Sequence, residues 1–81
     1  MTIMQEDIYR YLYERFGDVT YHMKGTSVVQ MIDSDGTKTD FTCNLYGDIM
    51  DSKTKRIIAV SDLPHDMDLV QNQRPTKWET V

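Results

Sequence analysis

The sequence has 81 residues, among them one cysteine, two prolines and two histidines, and it has no surplus of positive charge. Each shortage removes a class of protein. The lone thiol, Cys43, cannot form an internal disulfide, so a disulfide-stapled secreted scaffold is excluded and a reducing compartment is expected. His22 and His65 have no cysteine cluster beside them, which leaves too few ligands at recognisable spacing for a zinc site, and no other cofactor signature occurs. Nine Lys and Arg against 13 Asp and Glu give a net charge of −4. Contacts to nucleic-acid phosphates need the opposite balance. No apolar run approaches the length of a membrane span, and the first dozen residues are too charged for a leader, so a cytoplasmic protein is expected.

What remains is one small α+β domain. Thr2 and Gln5 stand at capping-box spacing, Glu6 and Asp7 put negative charge in a first turn, Arg15 lies in a last turn, and Gly17 follows as a stop. The helix between them carries Ile8, Leu12 and Phe16 on one stripe, widened by Tyr9, Tyr11 and Tyr13. Glu6, Arg10 and Glu14 form an opposite-sign ladder on the solvent side. After Gly17 the period changes to two. Val19, Tyr21 and Met23 alternate with Thr20, His22 and Lys24, then Thr26 to Ile32, Thr37 to Tyr46 and Arg56 to Val60 read as further strands. The expected fold is an N-terminal amphipathic helix followed by a four- to five-stranded antiparallel meander, with residues 1–70 as the domain and 71–81 as a flexible polar tail. His65 to Val70 fits either a short last strand or a helical turn.

The most pointed motif is Met31 to Asp40, MIDSDGTKTD. An apolar strand running into Asp33, Asp35, Gly36 and Thr37 resembles the nucleophile loop of the haloacid-dehalogenase phosphatases. That resemblance implies Asp33 as nucleophile, Asp35 as acid/base, and later motif positions such as Ser52, Lys53, Asp62 and Asp66. The family's doubly wound parallel sheet needs long crossovers, and only 44 residues follow Thr37. A calcium loop fails too, because the register that fits Asp33 and Asp35 puts Met31 and Thr42 at ligand positions. The same letters describe a hairpin better: a type I turn closed by Gly36 in the left-handed region, with the two carboxylates accepting turn N–H groups. Phe41, Cys43 and Leu45 then alternate along the following strand, with Cys43 as a buried thiol.

With no catalytic set, a non-enzymatic protein-binding module is expected. Compact modulators of this kind include those with which bacteriophages inhibit host proteins. Residues 33–68 hold eight Asp against Lys38, Lys53, Lys55 and Arg56. The carboxylates Asp48, Asp51, Asp62, Asp66 and Asp68 would suit a basic, DNA-binding partner, in the sharpest version by imitating DNA phosphates. Tyr9 and Tyr13 on the helix flank and Trp78 in the tail are the aromatic contact candidates. A homodimer is expected as cover for a free sheet edge, and a self-associating structural subunit or a divergent aspartate-dependent phosphohydrolase are the rival functions.

Overall fold

The computed structural model describes residues 1–61 and 78–80. One helix, α1 (Ile3–Phe16), is followed by β1 (Thr20–Lys24), β2 (Val28–Ile32), β3 (Lys38–Cys43), β4 (Ile49–Asp51), β5 (Ile57–Ser61) and β6 (Trp78–Thr80). All strands belong to one sheet in sequence order, every neighbour antiparallel. The α+β class and the meander are as the periodicity implies, at five strands through Ser61. The described part of the expected tail differs, because Trp78–Thr80 pairs with β5 as a sixth strand. The segment from Asp62 to Lys77, including its strand-or-helix question and the domain boundary at 70, lies outside the described residues.

The capping box forms as the spacing implies. Thr2 Oγ1 accepts from Gln5 N at 3.2 Å, and Gln5 Oε1 accepts from Thr2 N at 2.9 Å. Gln5 does more than cap. Its side chain is buried, and Nε2 donates towards the carbonyls of Gly25 and Val28 at 3.1 Å each and of Lys24 at 3.3 Å. One amide thus binds the helix start to the β1–β2 turn, while Thr2 Oγ1 donates to Thr26 O at 2.6 Å. At the other end Gly17 takes a φ of 80°, and its N–H closes on Tyr13 O at 2.8 Å.

Ile8 and Leu12 are fully buried and face Val29, Met31, Phe41, Ile49 and Ala59, with Tyr11 at the margin of this core. The helix packs on β2 and β3. Phe16 leaves the expected stripe. It ends the helix 41% exposed, covered in part by the Arg15 guanidinium 5.3 Å from its ring centre. Leu45 likewise leaves its expected face and is 72% exposed, because β3 stops at Cys43 and Leu45 falls in the next turn. A register slip between Ile49 and Met50 lets Ile58 pack on the same core as its buried neighbour Ala59, which strict alternation forbids.

Gln5→Met should lower stability by about 2 kcal/mol, since an apolar side chain of similar length leaves up to three turn carbonyls short of a donor. Chemical denaturation checks this, and a loss below a few tenths of a kcal/mol would mean that water replaces the amide.

Candidate functional site

The aspartate loop is a hairpin turn. Asp33 Oδ1 accepts from the N–H groups of Asp35 and Thr37, both at 2.9 Å. Gly36 N donates to Asp33 O at 3.0 Å, and Gly36 stands at φ 83°. The turn joins β2 to an antiparallel β3, so the strand behind Asp33 is not the first strand of a parallel sheet at this point. Asn44 to Asp48 repeats the device. Asn44 Oδ1 accepts from Tyr46 N and Asp48 N at 2.9 and 3.0 Å, Gly47 N donates to Asn44 O at 3.1 Å, and Gly47 has φ 84°. Both sequences read Asx-x-x-Gly, a signal present in the letters at 33–36 and again at 44–47.

The acidic candidates do not form one surface among the described residues. Asp48 was expected on an exposed turn, yet it is 2% exposed. Its Oδ1 accepts from Ser61 N at 2.8 Å and its Oδ2 from Asn44 Nδ2 at 3.1 Å, so it ties the β3–β4 turn to β5. Ser61 Oγ donates to Tyr46 O at 2.7 Å, and the Trp78 indole N–H donates to Gly47 O at 2.8 Å. Asp51 is half-buried, and its Oδ1 accepts from Lys53 N and Thr54 N within the β4–β5 turn. Asp62, Asp66 and Asp68 lie outside the described residues.

Cys43 lies beside this polar group at the end of β3. Burial, with the nearby charges of Asp7 and Asp48, pushes its thiol up to about 12 from the usual 9.0. A group with a raised folded value contributes stability in full below its unfolded value and loses it as pH rises to the folded value, so this thiol leaves stability unchanged below about pH 9 and lowers it progressively from there to about 12, the loss persisting above. The thiol, expected to be buried, is half-buried and packs against the core.

The aromatic candidates divide. Trp78 is half-buried in β6, its ring 5.9 Å from that of Tyr11, whose hydroxyl meets Thr80 Oγ1 at 3.1 Å and accepts from Arg15 Nη1 at 2.9 Å. Tyr9 and Tyr13 lie on the opposite flank of α1, above β1. Tyr9 stands edge-on to Tyr21 at 5.1 Å and 5.9 Å from Tyr13, and the Tyr21 hydroxyl donates to Gly17 O at 2.7 Å. Tyr13 is 45% exposed. A shallow groove of about 440 Å³ runs along this flank, lined by Met1, Glu6, Tyr9, Arg10, Tyr13 and Glu14. Within it Arg10 is paired with Glu6 at 2.9 Å. Sequence reading took Glu6, Arg10 and Glu14 only as a solvated ladder, and the tyrosines one turn apart were the signal that the same flank is concave. Comparison with protein-family models, curated proteins and solved structures gives no match for this chain.

Asp48→Ala should cost about 3 kcal/mol, because it leaves Ser61 N and the Asn44 amide without an acceptor in a closed site. An exposed carboxylate would cost under about 0.5 kcal/mol, and thermal melting separates the two. For Cys43, disulfide exchange with a small aromatic disulfide at pH 8 should run at least roughly a thousandfold slower in the native protein than after unfolding, following the thiolate fractions. Equal rates would place the thiol at the surface.

Proposed function

We propose that this chain is a non-enzymatic protein-binding module of the cytoplasm, making contact through the Tyr9–Tyr13 flank of α1 and the adjoining β1 edge. The observation that carries the reading is the flank itself. Two tyrosines one turn apart line a groove beside a sheet edge, and Met1 and Tyr13 stay exposed there although the helix has already buried Ile8, Leu12 and Tyr11 elsewhere. Tyrosine brings large contact area at little entropic cost, and its hydroxyl tolerates water before the partner arrives, which suits a surface that must be soluble alone and dry in the complex. The partner class is a protein, as expected from composition. The carboxylate version of that partner, a basic DNA-binding protein met by imitated phosphates, has less support here, since Asp48 is enclosed and Asp51 serves its own turn. The turn geometry of Asp33 likewise supports a structural role for that carboxylate, whose Oδ1 is occupied by two backbone N–H groups.

With the immobilised chain as bait, a retained protein should fall at least about tenfold on Tyr13→Asp, the scale of one lost aromatic anchor, while the Asp33→Asn, Asp35→Asn double variant retains it in full. Retention indifferent to Tyr13 would overturn the surface assigned. Magnesium-dependent turnover of a generic phosphate ester that disappears in the double variant would overturn the class.

A further inference from the structure

Among the described residues the strand β1 ends the sheet, and Lys24 is its one feature of the kind that keeps an edge from pairing. Its five residues hold an unbroken register with β2 from Thr20↔Ile32 to Lys24↔Val28. It has no proline and no inward-pointing charge. Its one permanent charge, Lys24, lies on the open face, where its Nζ is 3.5 Å from Asp40 Oδ2. Tyr21 and Met23 face the core side, half-buried and in contact with the core, while Thr20, His22 and Lys24 are exposed on the other side.

This pattern is self-complementary, and we propose that the occupant of the edge is a second copy of the chain, paired antiparallel β1 to β1 about a two-fold axis through His22. Residues opposite one another in an antiparallel pair share a face, so this register sets Tyr21 against Met23 of the second copy and Thr20 against its Lys24. Full overlap of the five residues requires the axis at His22. A pairing displaced by one residue would bring Tyr21 against an open-face position and is excluded by the alternation. This register sets no like fixed charges opposite one another, because each Lys24 faces a threonine, whereas a partner strand with Lys at that position would be repelled.

The same symmetry places both helices on one side of the joined sheet. Each α1 lies over β2 and β3, so its axis stands about two strand spacings from the seam, and the two axes are separated by roughly 19 Å. That exceeds the 8–10 Å of direct helix packing by about the reach of two side chains. Tyr9 and Tyr13 of both copies are the side chains that face this space, over a floor of Tyr21 and Met23 from each. Pairing therefore sets the two Tyr9–Tyr13 flanks towards each other across this space. The assignment rests on reading that flank as a contact surface and adds which chain fills it.

Sedimentation equilibrium on charge-swapped chains tests it. The wild type should sediment as a dimer of the 9.5 kDa chain at micromolar concentration. His22→Glu alone and His22→Lys alone should each dissociate at least about tenfold more readily, because like charges face each other on the axis, and an equimolar mixture of the two should recover the dimer. His22 is exposed, so both variants keep the native far-ultraviolet circular dichroism. Thr20→Glu should tighten the dimer and Thr20→Lys loosen it, through Lys24 of the second copy. A wild type that stays monomeric, or charge variants that associate as well apart as mixed, would overturn the proposal. A monomer that still retains a different protein in a Tyr13-dependent way overturns the choice of partner and leaves the contact surface standing.

Discussion

The governing constraint is the width of one helix against the width of the sheet. A helix with its side chains is about 10–12 Å across, whereas the six described strands, spaced about 4.8 Å apart, span about 24 Å. Helix α1 therefore covers β2 and β3 and leaves sheet on both sides. Small domains have little burial to spare, so how each flank is finished decides both stability and surface chemistry.

The two flanks are finished by different means. Towards β4, β5 and β6 the gap is filled with polar groups that satisfy one another: Asp48 accepts from Ser61 and Asn44, Ser61 donates to Tyr46, and Trp78 donates to Gly47 while its ring meets Tyr11. Among the described residues no buried side-chain polar atom lacks a partner. Such a network holds only when complete, which makes Asp48 a structural anchor and not a free surface charge. Towards β1 no such polar network is built among the described residues. Tyr9 and Tyr21 meet edge-to-face beside the core, Tyr13 is 45% exposed, and β1 has no further strand beside it among the described residues. One flank is closed by a polar network, and the other is the flank for which we propose a partner.

Local signals were legible in the sequence, and contacts between distant elements were not. The capping box at Thr2 and Gln5, the stop at Gly17 and the hairpin at Asp33 to Thr37 each depend on residues within a few positions, and each forms, although of the two carboxylates expected to accept turn N–H groups it is Asp33 that does so. Gln5 as a clamp on the β1–β2 turn could not be read, because its acceptors lie a whole strand away. Asp48 follows a glycine in a polar stretch and has the look of a turn carboxylate. Its burial is decided by Ser61 and the packing of Trp78. Trp78 itself sits among polar residues that suggest a tail, and its strand is visible only once β5 offers an edge. The twin Asx-x-x-Gly turns were legible in principle, and counting the motif twice would have ended β3 at Cys43 and left Leu45 in solvent.

The central claim, that the β1 flank is finished by a second copy, is tested most directly by amide hydrogen exchange along Thr20–Lys24 at millimolar and at nanomolar protein. In an edge strand alternate amides point outward and exchange freely; in a central strand all are bonded. The account predicts slow exchange at all five positions in concentrated protein and fast exchange at alternate positions on dilution. Fast exchange at alternate positions at both concentrations would contradict it.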